Sequence, residues 1–284
     1  MIRDSMAGEG YWDKWTRHSQ ENIAKNLEQL KSPSGNPVYR PQFVWDTSRD
    51  VLRLMLRRYS QGDSVSGIGQ LFPQLLDTWV LSNDLADGVC AEHNLKTCRD
   101  WVFDLSDLNH YIWCFWVVGL ALVLHIPDDQ WNRLLALIGG EGDDILLDRI
   151  IASRQPSRVI GDVLLHQKPY ARLFKAIDAP KEQQALLLQA FVDNWYPELN
   201  RRGKQQPWWY FYGDPEKHPL ETGSYFGRWC VEAVAAVEAF KLDDSLCLGH
   251  PHYPGDLLHP NGPSTHRPQP KSKKPRSWRE FFGI

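Results

Sequence analysis

The sequence predicts an all-α protein, a multi-helix bundle of two helical subdomains packed together with little or no sheet. Three observations carry this. Apolar residues recur at steps of three and four almost throughout the 284 residues. No stretch alternates β-branched with polar residues for long enough to form a half-buried strand. One run, residues 111–124, "YIWCFWVVGLALVL", is apolar without interruption, and a helix apolar on every side belongs at the centre of a bundle. A membrane span needs about 20 such residues, and His110 and His125 bracket this run. The reading is a buried helix, with no membrane contact.

The elements follow in order. Trp12, Trp15, Ile23, Leu27 and Leu30 keep helical spacing until "SPSGNP" breaks it at 32–37. A second helix fits 46–60, with Val51, Leu52, Met55 and Tyr59 on one side and Arg53, Arg57 and Arg58 outward. A third carries the stripe Ile68, Leu71, Phe72, Leu75, Leu76 and Trp79. Pro73 sits inside that stripe, so the helix begins late or kinks there. Ser106 is placed to cap the apolar helix. Shorter helices fit 128–138, 143–153 and 169–177, and another runs from about 180 to 195. The glycine- and acid-rich "IGGEGDD" marks an internal boundary, giving an N-terminal domain over 1–135 and a C-terminal one over 136–263. Residues 264–284, rich in Pro, Lys and Ser, read as a flexible basic tail.

Composition narrows the function classes. The tail carries six Lys or Arg against one Glu, a net +5, so with −3 for the whole chain the remainder is −8. Phosphate contacts need Lys and Arg, so an acidic body disfavours nucleic acid as a direct ligand and suits a basic partner. The five cysteines form no CxxC pair and are odd in number, which gives neither a disulfide framework nor a zinc-ribbon spacing. Reduced thiols in a cytoplasmic protein are expected. The N-terminus "MIRDSMAGEGYWDKW" shows no apolar secretion core. Thirteen Trp residues chiefly supply core volume.

Three stretches hold candidate site residues. "QQPWWYFYGD" has five consecutive aromatics, readable as a connection that covers the core or as a binding lip. In "ETGSYFGRWCVEAVAAVEAFKLDDS", Phe226, Trp229, Cys230, Ala233, Val237 and Phe240 mark an amphipathic helix, and Arg228 and Glu232 are spaced to pair across one turn. "LDDSLCLGHPHYPGDLLHP" gathers three His and three Asp among three Pro. Its proline-stiffened backbone sends His250 and His252 to opposite sides, and no further ligand spacing completes a metal site. Asp243, Asp244 and Asp256 fall where carboxylates accept backbone N–H groups. No catalytic group, metal or cofactor is expected.

"GSYFGRWCVEAVAAVEAFKLDDS" followed by "HPHYPGDLLHP" resembles the C-terminal domain signature of the PoNe immunity (PoNi-like) family. The matching positions are Gly227, Trp229, Cys230, Glu232 and Ala233, then Leu242, Asp243, Asp244 and Ser245, then His250, Pro251, Tyr253, Pro254, Asp256 and Leu257. The resemblance implies an all-helical, non-enzymatic immunity protein that binds and neutralises a cognate antibacterial toxin. The toxins paired with the family are typically DNases delivered between bacteria by contact-dependent secretion systems. A basic DNA groove on such a toxin agrees with the acidic body. Partner contacts are therefore expected at Glu141, Asp143, Asp144, Asp214, Glu216 and Glu221, with Trp208, Trp209 and Tyr212 as a dry centre. Two other readings compete: a metal-dependent hydrolase built on the His/Asp segment, and a helical adaptor or scaffold that pairs as a homodimer.

Overall fold

Helix α5 (Leu108–Val123) runs through the middle of the molecule with fourteen of its sixteen residues buried. The computed structural model describes residues 1–94 and 104–266. On one flank, α1 (Glu9–Gln29) packs on α2 (Arg40–Gln61), and α2 packs on α4 (Phe72–His93), with the short α3 (Val65–Gly69) between them. On the other, α10 (Val231–Phe240) lies against α5, backed by α7 (Ile145–Ala152), α8 (Gln167–Asp178) and α9 (Lys181–Glu198). Helix α6 (Asp128–Ile138) bridges α4 and α5. Among the described residues no strand occurs, only an isolated bridge between Asp214 and His218. The all-helical bundle expected from periodicity is what forms.

Much of the tryptophan excess is core. Trp45, Trp79 and Trp113, from α2, α4 and α5, meet with ring centroids 5.0–5.3 Å apart. Trp116, Trp195 and Trp209 make a second group on the opposite side of α5, at 5.1 and 5.8 Å. Tilted, edge-on and stacked pairs of this kind favour one relative orientation of the segments that carry them. The two groups belong to one continuous hydrophobic core that takes residues from both sides of the expected boundary near 136.

Several local expectations change. Helix α2 starts at Arg40, six residues earlier than expected, because Pro41 sits in its first turn where a missing N–H costs nothing. Pro73 occupies the same kind of position in α4, so that helix begins late and does not kink. Asp107, not Ser106, caps α5: its Oδ1 accepts from the N–H of Asn109 at 2.8 Å and of His110 at 3.4 Å. Ser106 is turned instead to Asp104 Oδ1 at 2.6 Å. The thiol expectation fails at one position. Cys90 is disulfide-bonded, whereas Cys114, Cys230 and Cys247 are free and buried. Cys90 sits half-buried in the last turns of α4. The first residues of the expected tail are docked: Ser264 and Thr265 bond Asp256, and His266 is buried. The basic stretch 267–284 lies outside the described residues.

Helices α5 and α10 touch almost backbone to backbone. A Cβ on Gly119 would come 2.8 Å from Val231 Cγ1 and 3.1 Å from Ala235 Cβ. Gly119→Ala is expected to cost about 1–3 kcal/mol by overpacking. Chemical denaturation checks this, and an unchanged midpoint would refute so close an approach.

Candidate partner-binding surface

The signature segment is built as scaffold. Helix α10 starts at Val231, so the residues before it, which also match helical spacing, are not helical. Gly227 shows why: its φ is +108°, and a Cβ there would come 2.2 Å from Trp229 Nε1 and 2.4 Å from Ser60 Oγ. A side chain cannot occupy that space. Trp229 instead donates its indole N–H to Ser60 Oγ at 2.8 Å, and Tyr59 meets the ring edge-on at 5.0 Å. Phe226 and Trp229 are buried, as expected of core residues.

Glu232 departs furthest from expectation. It forms no ion pair with Arg228, because Arg228 precedes the helix and the i, i+4 geometry never arises. The Arg228 guanidinium lies over the rings of Tyr196 and Tyr225 and donates to Tyr212 O at 3.0 Å. Glu232 is fully buried. Its Oε1 accepts from Tyr170 OH at 2.8 Å and Trp195 Nε1 at 3.2 Å, and its Oε2 from Trp116 Nε1 at 3.3 Å. Desolvation pushes its pKa up to about 7 although all three donors pull it down.

The His/Asp segment is a clasp. His252 donates from Nδ1 to Arg228 O at 3.0 Å, and its carbonyl accepts from Cys230 N at 2.8 Å. His250 receives the His252 N–H at Nδ1 and faces Asp193 with Nε2 at 3.3 Å. Pro251 is exposed, whereas Tyr253 and Pro254 are buried. Tyr253 OH donates to Asp244 at 2.6 Å, and Asp243 accepts from Ser245 N at 2.9 Å. Asp256 gathers Arg3 Nε at 2.6 Å, Ser264 Oγ at 2.9 Å, and Thr265 N and Oγ1 at 2.6 and 2.9 Å. Among the described residues no group of three or more His, Cys, Asp or Glu is arranged to hold a metal ion.

The expected partner residues divide. Asp144 is completely buried and is no surface charge: it caps α7 through Leu147 N at 2.8 Å and accepts from Tyr111 OH and Leu165 N. The N-cap role that its place before an apolar helix permits is the one it takes. Trp209 is buried too, packed on Trp116 and Trp195, and cannot line a binding lip. Trp208 and Tyr212 are half-buried, Trp208 under the Arg53 guanidinium at 4.3 Å and Tyr212 against His218 at 4.4 Å. Asp214 is held in a turn by the N–H groups of Glu216 and Lys217, which keep its pKa below the ordinary value. Glu141, Asp143, Glu216 and Glu221 remain exposed. The first pair sits in the loop before α7, the second in the connection before α10.

Sequence reasoning missed the second wall of the first loop. Asp148 and Arg158, both buried, pair at 2.7 Å, and Asp148 Oδ2 accepts from the N–H groups of Gly142 and Gly161 at 3.1 Å each. These ties lay residues 158–165 alongside residues 139–145. The only signal in the sequence was "SRVIGDV", apolar residues without helical spacing.

The whole is an all-helical bundle in which the charged residues of the signature serve as internal ties. The model of the N-terminal domain of PoNe immunity proteins matches residues 3–136, and that of the C-terminal domain matches residues 142–257. The chain belongs to the PoNe immunity protein (PoNi) family. A crystal structure of protein PA2201 from Pseudomonas aeruginosa is similar, with a TM-score of 0.65 over 87% of this chain and 86% of that one at 15% identity. That likeness shows a shared fold. No curated protein matched the chain.

The raised pKa of Glu232 has a sign. The folded state holds the proton up to about pH 7, the unfolded chain only to about 4.5, so this contribution to stability is complete below 4.5 and is lost as pH rises to 7. The loss is on the order of 3 kcal/mol. Half-buried His252 and buried His266, their pKa values lowered to about 4 chiefly by desolvation, act in the opposite sense below about 6.5. Only the difference from Glu232→Gln isolates the carboxyl. Wild type is expected to lose stability relative to that variant between pH 5 and 7.5 in urea denaturation. Parallel profiles would refute the assignment.

Proposed function

We propose that this chain neutralises an antibacterial DNase toxin inside the cell that makes it, by stoichiometric binding and without chemistry of its own. Its family assigns an immunity role and, with it, a cognate toxin as partner. The observation that carries the finer reading is charge: residues 1–263 hold a net −8. A DNase must present a basic groove to its substrate, and an acidic protein is drawn to that groove faster than a neutral one. The described carboxylates free to act in this way include Glu141, Asp143, Glu216 and Glu221, all exposed. Buried Asp144 and Glu232 take no part.

Two results test the reading. Co-expression with its cognate nuclease toxin is expected to restore growth and to yield a complex of fixed stoichiometry. Inhibition at far less than one equivalent would instead point to catalysis. Reversing Glu141 and Asp143 to Lys, or Glu216 and Glu221 to Lys, is expected to slow association about tenfold at low salt and to flatten its salt dependence. Association indifferent to both reversals and to salt would overturn electrostatic capture.

A further inference from the structure

The loop between α7 and α8 keeps in water what helical proteins ordinarily bury. Val159, Ile160 and Val163 are 61%, 48% and 51% exposed. Exposed apolar residues scattered singly need no explanation, but three together on one short loop do.

This loop is not loose. Beneath it, Arg158 and Asp148 form their buried pair, and Asp148 also holds the N–H of Gly161. Val159 N donates to Glu141 Oε1 at 2.7 Å, Val163 O accepts from Ile145 N at 2.8 Å, and Leu165 N donates to Asp144 Oδ2 at 2.9 Å. Gly161 lies so near the opposing loop that a Cβ would come 2.5 Å from Gly142 O. Backbone donors and acceptors are thus satisfied inward while the side chains stay outside. Such a loop arrives at a partner already ordered, which removes part of the entropy cost of binding.

Three carboxylates rim the apolar side chains: Glu141 and Asp143 on the opposing loop and Asp162 within this one, all exposed. The arginine of the stretch, Arg158, is turned inward to Asp148. The rim selects among occupants. Across a two-fold axis, a second copy would bring its own carboxylates against these, and like charges set face to face are costly. An anionic membrane surface would be repelled for the same reason. A protein with a basic rim around an apolar seat satisfies both features.

We infer that Val159, Ile160 and Val163, rimmed by Glu141, Asp143 and Asp162, form the dry centre of the surface that receives the cognate toxin. This rests on the immunity reading above and replaces the aromatic run, which is largely committed to the core, as the apolar part of the interface. The pattern of apolar anchors inside a polar rim is that of protein–protein hot spots.

The test uses the full chain and, as probe, the cognate nuclease toxin inactivated at its own catalytic residue. The triple variant Val159→Ser, Ile160→Ser, Val163→Ser should keep the wild-type melting temperature yet bind about 100-fold more weakly, chiefly through faster dissociation. Neutralising the rim with Glu141→Gln, Asp143→Asn and Asp162→Asn should slow association instead. If the triple variant melts early, hydrogen exchange decides: amides of residues 158–165 in the wild-type complex must be protected beyond their level in the free chain. Binding within threefold of wild type by a fully folded triple variant, or no added protection there, overturns the inference and leaves the immunity reading standing. Wild-type dimers that the triple variant fails to form would assign the patch to a second copy and also overturn it. Failure of the wild-type chain to bind the probe at all defeats the immunity reading first.

Discussion

A carboxyl group at the centre of the bundle organises the C-terminal half. Glu232 on α10 holds α5 through Trp116, α8 through Tyr170 and α9 through Trp195. No guanidinium or ammonium stands among these partners. Burying a carboxylate without a cation is costly, and three oriented neutral donors are what make it tolerable. The dependence runs both ways. Without the carboxylate, two indole N–H groups and a phenol would be left in an apolar interior with nothing to donate to. Such a network is weak as a source of stability and strong as a means of fixing which helices meet, and at what rotation.

The same half leans on the first. Helix α10 packs on α5, and the signature tryptophan bonds a serine of α2. Arg57 of α2, buried and without a carboxylate among its hydrogen-bond partners, donates to the carbonyls of Trp15, Gly223 and Tyr225 and to Ser19. One guanidinium therefore stitches α1, α2 and the strand-like approach to α10. Two stretches matched by separate family models close over one core.

Much of this was legible in the sequence, and the failures share a cause. Helix α5 could be read because its burial is written into every residue of the run. The bundle could be read because helical periodicity is local. Glu232 was misread because i, i+4 spacing implies a salt bridge only where the chain is already helical, and Gly227 ends that condition at a point no periodicity reveals. Asp144 was misread because an acid before a helix looks alike whether it faces water or caps the first turn. Trp209 and Trp208 are neighbours in sequence with different burial, since an irregular connection has no period from which to tell inside from outside. The rim loop was invisible for a related reason: what makes it rigid is Asp148, on another element, reaching two backbone N–H groups.

The Arg3–Asp256 pair joins residues 253 positions apart, and that separation has a consequence for the order in which the molecule is made. A chain leaves the ribosome from its N-terminus, so Arg3 is made long before its carboxylate, with the carbonyls of Tyr59 and Asp63 to receive it in the meantime. The first helices can pack in the meantime, but the contact with Asp256 waits for the later segment to arrive. A chain cut short before Asp256 can therefore still pack its early helices, but it lacks this one tie between distant segments.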